Sequence, residues 1–247
     1  MNAWASVDTF VCLAAGKGSR LGRLGSYLQK AMYPVGLKPF LQHSLEQLVA
    51  SGAAASGARV VLVVGHLAEQ VRAYFGSGFE GLEVTYVEQE RLAGTGDALR
   101  LVGQVLEGAG QIVAWQGDLF VTKDLFAAVA AHPLANVVTL GEGHEDESPV
   151  LLATTEGELV TTVWEGAGPL LDIGLWKLEA RLLPEFGAVV APNGELRMLP
   201  NLQRLIDRGL KVGYVHSREW VHLGGTLPSA EENVRAVARR LWSEERG

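Results

Sequence analysis

The chain has 247 residues, of which 48% are hydrophobic and 20% are charged, a globular composition that excludes fibrous and intrinsically disordered proteins. Its formal net charge is −7 and its 21 Lys and Arg residues stand singly or in pairs, so we predict no nucleic-acid partner, which would require a continuous basic surface. We expect a cytoplasmic protein without a membrane partner, because the sequence lacks a secretory signal and a long apolar run and contains one cysteine, Cys12.

The first half of the sequence alternates short apolar runs with amphipathic stretches of helical periodicity. We predict strands at Thr9 to Ala14, Arg59 to Val64, Leu82 to Val87 and Gln111 to Trp115, and helices at Phe40 to Ala50, Ala68 to Phe75, Thr95 to Leu106 and Lys123 to Ala131. Strands that alternate with helices usually become parallel neighbours in one sheet. This half therefore indicates a doubly wound, mostly parallel α/β sheet with helices on both faces.

The alternation changes after about residue 136, where short strands are separated by acidic or glycine-rich turns. We predict strands at Val137 to Leu140, Val150 to Thr154, Leu159 to Trp164, Leu170 to Leu178 and Val212 to His216, and helices at Met198 to Arg208 and Ala230 to Trp242. The pattern favours antiparallel additions to the first sheet. Without a visible linker or repeat, we predict a single domain over residues 1–247.

A glycine loop follows the first predicted strand directly. The segment from Leu13 to Leu21 contains Gly16 and Gly18, which permit positive φ and a close backbone approach to a ligand. Such a loop can hold phosphate groups with its backbone N–H groups. A dinucleotide-binding loop would have glycine where Leu21 stands, and a Walker loop would continue with Gly-Lys-Ser/Thr. The loop therefore predicts a phosphate site of another type.

Further motifs make the pattern specific: Lys30 followed by Pro-Val and Lys-Pro, Gln89 five residues before Gly94-Thr95, and Gly117-Asp118 after a strand. With these, the sequence resembles the sugar-1-phosphate nucleotidyltransferases, especially glucose-1-phosphate thymidylyltransferases and the uridylyltransferase domain acting on N-acetylglucosamine 1-phosphate. The resemblance implies a three-layer αβα, Rossmann-like, mixed but mostly parallel sheet of the nucleotide-diphospho-sugar transferase type. It also implies a nucleotide-binding half at about 8–135, an acceptor-binding half at about 136–230 and a C-terminal helix at 230–245.

The resemblance assigns roles to individual residues. Arg20 and Lys30 would grip the triphosphate and the attacking phosphate, where a guanidinium and an ammonium offset negative charge near the α-phosphorus. Asp118 would hold Mg²⁺, which prefers oxygen ligands and bridges phosphate oxygens. Gln89 would hydrogen-bond the base. The remaining predicted nucleotide-binding residues are Leu13, Ala14, Gly16, Lys17, Gly18, Gly94 and Thr95.

The second half departs from the family pattern. Glu165 and Asp172 stand at positions that the family uses for the acceptor, but Gly166 and Asn193 replace two customary basic residues. His222 replaces the second metal-binding carboxylate, and we interpret it as a packed core or loop histidine, since nitrogen is a poor ligand for Mg²⁺.

We therefore predict that an NTP and a sugar 1-phosphate condense to an NDP-sugar and pyrophosphate in a Mg²⁺-dependent reaction. The departures leave two alternatives open. The acceptor could be another phosphate monoester, such as phosphocholine or a molybdopterin-type cofactor. Alternatively, the protein could be a catalytically impaired homologue that binds a nucleotide or NDP-sugar. A homo-oligomer is compatible with the sequence.

Overall fold

The computed structural model describes residues 7–106, 110–142, 151–191, 194–218, 220–224 and 227–244. The strands are β1 (Val7–Leu13), β2 (Pro34–Val35), β3 (Lys38–Pro39), β4 (Arg59–Val64), β5 (Gly78–Phe79), β6 (Leu82–Glu88), β7 (Gln111–Gln116), β8 (Leu119–Phe120), β9 (Val137–Glu142), β10 (Thr154–Glu156), β11 (Leu159–Thr162), β12 (Leu170–Glu179), β13 (Gly213–Ser217) and β14 (Val221–His222). The helices are α1 (Phe40–Ala50), α2 (Ala68–Phe75), α3 (Thr95–Val105), α4 (Lys123–Ala131), α5 (Met198–Asp207) and α6 (Leu227–Glu244), with short 3₁₀ segments such as Ser19–Ser26 and Ala180–Gly187 between them.

Ten strands form one sheet in the order β10-β11-β13-β9-β12-β7-β1-β4-β6-β5. Its centre is parallel: β1 pairs with both β4 and β7, and β4 pairs with β6. Strand β12 runs antiparallel between β7 and β9 and joins the two halves of the chain. Two small ribbons, β2 with β3 and β8 with β14, lie outside this sheet.

Helices cover both faces of the sheet because the strand side chains alternate in direction. On β1, Phe10 and Cys12 pack in one apolar cluster with α1, α2 and α4, while Val11 packs in another with α3, α5 and Ala180–Gly187. A third cluster joins α6 to the glycine-loop region through buried Leu21. This arrangement confirms the predicted three-layer fold.

The second half differs from the prediction in detail. Strand β13 pairs with β9 in parallel, so the expectation of purely antiparallel additions is wrong for this pair. The predicted strand from Val150 begins among residues 143–150, which lie outside the described ranges, and the strand found nearby is Thr154–Glu156. Helix α6 begins at Leu227, three residues before the predicted start at 230.

The carboxyl ends of the parallel strands converge on one edge of the sheet, which is where open α/β sheets bind ligands. Leu13, Gln89 and Gln116 lie at or directly after the ends of β1, β6 and β7, and all three border one cavity. Among the described helices, none is both long enough and apolar enough to span a bilayer.

Candidate active site

A cavity of about 490 Å³ lies at this edge of the sheet. Its walls are the glycine loop from Leu13 to Leu21, the segments Gln29–Ala31 and Gln116–Asp118, several residues between 89 and 98, and Glu195. The cavity brings together every residue predicted for catalysis and nucleotide binding: Leu13, Ala14, Gly16, Lys17, Gly18, Arg20, Lys30, Gln89, Gly94, Thr95 and Asp118. Their individual roles remain predictions.

The glycine loop has the backbone geometry that a phosphate site requires. Gly18 has a φ of +60°, in the left-handed region that favours glycine. Gly25 packs behind it so closely that a Cβ at position 25 would come within 2.6 Å of the Gly18 carbonyl oxygen. Lys17 and Arg20 are exposed at the cavity and form no ion pair within the described part of the chain. Their charges are therefore available to an anionic ligand.

Lys30 is held in the cavity wall by its neighbour Gln29, which is 1% exposed. The Gln29 side chain donates to the carbonyl oxygen of Ala14 and accepts from the N–H of Ala31. Its own backbone N–H donates to Gln70 Oε1 at 2.9 Å. These bonds on both sides of Lys30 direct its ammonium to Asp118 Oδ2, with which it forms an ion pair.

Asp118 lies directly after β7, and its side chain is 20% exposed. Burial acts to raise the pKa of this carboxyl, but the Lys30 charge and the hydrogen bond and charge of His222 act against it and hold the pKa well below its usual range. Asp118 is therefore a carboxylate at neutral pH. Asp118 thus presents an anionic oxygen beside the Lys30 ammonium at the wall of the cavity.

His222 reaches Asp118 because β14 pairs with β8, which places His222 opposite Leu119. The imidazole Nε2 lies 2.8 Å from the carbonyl oxygen of Ile173, and Nδ1 lies 3.8 Å from Asp118 Oδ1. Burial lowers the pKa of His222, but the Asp118 carboxylate and the Ile173 carbonyl more than offset this and raise it above the ordinary value. The His222 imidazole thus forms a hydrogen bond within the fold, as a packed histidine would, and it also lies near Asp118.

The start of α3 forms another part of the cavity wall. Gly94 has a φ of +111°, and a Cβ there would come within 2.6 Å of the Leu196 carbonyl oxygen. Leu196 donates its N–H to Ala93 O and accepts from the N–H of Gly96, both at 2.7 Å. Thr95 Oγ1 accepts from the N–H of Met198 at 3.0 Å. The second half of the chain therefore forms part of this wall.

The two predicted acceptor residues do not border the cavity. Glu165 is exposed with a φ of +58°, while Asp172 is 5% exposed and accepts a hydrogen bond of 2.7 Å from the indole N–H of Trp176. Their acceptor role remains a prediction. A Cβ at Gly166 would come within 2.6 Å of the Leu152 carbonyl oxygen, so a lysine cannot stand there without a shift of the backbone. Asn193 lies outside the described residues.

A family model for the MobA-like NTP transferase domain matches residues 10–201. The chain belongs to this family. The resemblance to sugar-1-phosphate nucleotidyltransferases is thereby confirmed, and the parallel strand ends, glycine loop and Asp118 described above lie within the matched range.

Two relatives of this MobA-like NTP transferase chain are named for different compounds. CMP-5′-(3-aminopropyl)phosphonate synthase from Streptomyces rubellomurinus is 30% identical over 215 residues, which cover 83% of this chain and 32% of that protein. UTP–glucose-1-phosphate uridylyltransferase from Synechocystis sp. is 27% identical over 257 residues, or 92% of this chain and 63% of that protein. The chain thus spans less than two thirds of the length of these relatives.

The fold is shared with a solved structure of UDP-glucose pyrophosphorylase in complex with UDP-glucose. The two superpose with a TM-score of 0.78 at 17% identity, over 95% of this chain and 99% of the other. At this identity, the likeness establishes the fold of the MobA-like domain.

Several cavity residues were not identified from the sequence. Gln29 precedes the predicted Lys30, but a single Gln in a polar segment gives no pattern that separates a buried positioning residue from a surface one. Ser19, Leu92, Ala98 and Gln116 also border the cavity. A prediction that extended each motif by a few residues along its loop would have included most of them.

Asp172 makes the stability of this domain depend on pH. Burial raises its pKa from 3.8 to about 7, although the Trp176 indole, the His222 charge and the Gly174 N–H act in the opposite direction. Between these two values, the folded protein keeps a proton that the unfolded chain has lost, so stability falls as pH rises across this window. We expect Asp172→Asn to raise the free energy of unfolding above that of the wild type at pH 8, by on the order of a few kcal/mol at most.

Thermal unfolding of both proteins at pH 5 and pH 8 tests this expectation. The difference in unfolding temperature between the variant and the wild type should be larger at pH 8. The exposed residue Asp124, in the first turn of α4, provides a matched Asp→Asn control at a solvent-accessible site. An equal difference in unfolding temperature at both pH values would contradict the raised pKa of Asp172.

Proposed function

We propose that this protein is a nucleotidyltransferase that joins an NTP to a sugar 1-phosphate and releases pyrophosphate. The observation that carries the proposal is that one cavity brings together a glycine loop, the Lys30–Asp118 ion pair, and Lys17 and Arg20, which form no ion pair with any residue in the described ranges. Nucleotidyl transfer to a glycosyl phosphate requires these parts: a backbone cradle for phosphates, positive charge at the α-phosphorus and an oxygen ligand for a cation.

The chemistry needs no general base. A phosphate monoester is already anionic at neutral pH, so its oxygen can attack the α-phosphorus in line without losing a proton. Lys30 is fixed by Gln29 and would stabilise the charge that gathers during the attack, while Arg20 would hold the leaving phosphates. Catalysis is thus positioning and electrostatic stabilisation.

Mg²⁺ fits the donor set of this cavity. Asp118 presents a carboxylate, and Mg²⁺ is commonly held by one or two carboxylates together with substrate phosphates and water. Among the described residues, no three His, Cys, Asp or Glu side chains cluster as a complete metal site, so phosphate oxygens would have to complete the coordination. When bound, the ion would neutralise charge on the phosphate oxygens.

A second acceptor class is supported by the acceptor half. The backbone around Gly166 leaves no room for the lysine that the family pattern has there, and one relative is named as a CMP-5′-(3-aminopropyl)phosphonate synthase. A non-sugar phosphate monoester such as phosphocholine, or an unesterified phosphonate, is therefore the alternative acceptor.

Pyrophosphate release tests the proposal. We expect Mg²⁺-dependent release from one preferred NTP in the presence of a pool of sugar 1-phosphates, with Asp118→Asn as the blank and Asp124→Asn as an active control. Release with phosphocholine or an aminoalkylphosphonate alone would support the non-sugar acceptor. If no NTP and acceptor pair released pyrophosphate, both acceptor classes would be contradicted. That result would favour a protein that only binds nucleotides, in which His222 has replaced a required carboxylate.

A further inference from the structure

Gln70 lies on α2, outside the cavity, and its side-chain amide bonds to the backbone of the segment that leads into Lys30. Its Nε2 donates to the carbonyl oxygen of Tyr27 at 2.7 Å, and its Oε1 accepts from the N–H of Gln29 at 2.9 Å. A backbone carbonyl oxygen can only accept and a backbone N–H can only donate, so these two partners determine the orientation of the amide. Gln70 thus fixes the backbone on the N-terminal side of Lys30.

Helix α2 is itself held against the glycine loop. His66, two residues before the helix, donates its N–H to the carbonyl oxygen of Ala15 at 3.0 Å, and its Nε2 lies 2.7 Å from the carbonyl oxygen of Gly25. Leu67, the next residue, has a φ of +52°, a left-handed conformation that is unfavourable for a residue other than glycine. The start of α2 is therefore fixed by the fold, and Gln70 extends from a helix that is anchored to the site.

Gln29 connects Gln70 to Lys30. The side chain of Gln29 can bond to Ala14 and Ala31 only while its backbone stays in place, and the backbone N–H of Gln29 is bonded to Gln70. Because a buried N–H without an acceptor is unfavourable, loss of the Gln70 oxygen would favour rotation of the Gln29 backbone toward another acceptor. That rotation would move the Gln29 side chain away from its partners and release Lys30.

We propose that Gln70 is a positioning residue, which holds Lys30 against Asp118 through Gln29 although Gln70 does not border the cavity. For its effect on turnover, this inference rests on the proposed function. Loss of Gln70 would leave the Lys30 ammonium in the protein but poorly placed. Misplacement of a group that stabilises the transition state lowers the rate of the reaction more than the affinity for the substrates.

Steady-state pyrophosphate release by Gln70→Met tests the effect on turnover. Methionine has nearly the length of glutamine but can form neither hydrogen bond. We expect kcat to fall about 10- to 100-fold and KM for the NTP to change less than about threefold. In a Lys30→Ala background, Gln70→Met should change kcat by no more than about twofold, because Gln70 acts through Lys30. An equal fall of kcat in both backgrounds would overturn the proposal.

The matched control is Gln42→Met on α1. Gln42 is also half-buried and forms two side-chain hydrogen bonds, donating to Glu46 Oε1 and accepting from the Tyr74 hydroxyl. We expect this variant to keep kcat within about twofold of the wild type, since its bonds do not involve the segment before Lys30. An equal loss of kcat in both Gln→Met variants would indicate general loosening of the fold and would overturn the proposal.

The accessibility of Lys30 to an amine-acylating reagent, followed by mass spectrometry, can be measured without turnover. In the wild type, the Lys30 ammonium is ion-paired and its side chain is 18% exposed. We expect Lys30 to be labelled at least about threefold faster in Gln70→Met, while the exposed Lys123 of α4 keeps its rate. Unchanged labelling of Lys30 would overturn the proposal. If labelling rises but no acceptor yields pyrophosphate, the positioning of Lys30 stands and the proposed function fails.

Amide hydrogen exchange in the wild type decides the question if Gln70→Met does not fold. The Gln29 N–H, which is bonded to Gln70, should exchange as slowly as the amides of the central strands. Fast exchange of this N–H would show that Gln70 does not hold the segment and would overturn the proposal.

Discussion

Lys30→Ala is expected to lower kcat by about 10²- to 10³-fold, the size found when one preorganised electrostatic group is removed from a catalytic site. The Lys30 ammonium contacts Asp118 Oδ2, and the Lys30 side chain is only 18% exposed. A partly buried charge acts in a low dielectric and costs no reorganisation during the reaction. The effect should appear in kcat more than in KM, because the charge that Lys30 offsets is greatest in the transition state.

Steady-state pyrophosphate release measures this effect, and Lys38→Ala is the matched control. Lys38 lies on the β3 ribbon, where its ammonium pairs with Glu46 at 2.7 Å, and its side chain is 48% exposed. We expect this control to retain activity within about twofold, as surface ion pairs contribute little. Turnover of Lys30→Ala equal to that of the control would refute the catalytic role of Lys30.

Asp118→Asn is expected to reduce Mg²⁺-dependent turnover by about a thousandfold, since metal-ion charge stabilisation is worth several kcal/mol. The change is nearly isosteric, so the glycine loop and β7 should keep their packing. The variant should also distinguish an effect of Asp118 on metal binding from an effect on nucleotide binding. Without a divalent ion, the wild-type carboxylate repels the triphosphate, so the neutral side chain should bind NTP as tightly as the wild type or more tightly.

Calorimetric titrations with NTP, carried out with chelator and with Mg²⁺, provide the measurement. We expect Mg²⁺ to strengthen NTP binding by the wild type but to have little effect on Asp118→Asn. Thermal unfolding shows whether the variant is folded. An equal response of both proteins to Mg²⁺ would show that Asp118 does not hold the ion.

The first half of the fold could be predicted closely because local pattern and tertiary structure agree there. Helices α1, α2 and α4 begin and end at the predicted residues, since the helical spacing of their apolar residues matches the face that packs in the core. The pairing of β13 with β9 could not be predicted, because the alternation within a strand gives its faces and not its neighbours.

The residues of the candidate site also fall into those that the sequence identifies and those that only the structure shows. The glycine loop, Lys30, Gln89 and Asp118 belong to sequence motifs, and the structure places them around one cavity. Gln29, which orients Lys30, does not. It acts through a hydrogen bond to Ala14, which is adjacent only in the folded chain. Such contacts leave no spacing signal in a single sequence.

The contact of Leu196 with the start of α3 bears on how this protein could be engineered. Its backbone hydrogen-bonds to Ala93 and Gly96, and its carbonyl oxygen packs against Gly94, so a residue from the second half of the chain supports the cavity wall at the start of α3. A fragment ending near residue 135 would lose this support and also β12, which pairs with β7. The cavity therefore cannot be transplanted as a self-contained module, and a chimera with an exchanged second half would have to retain the segment around Leu196.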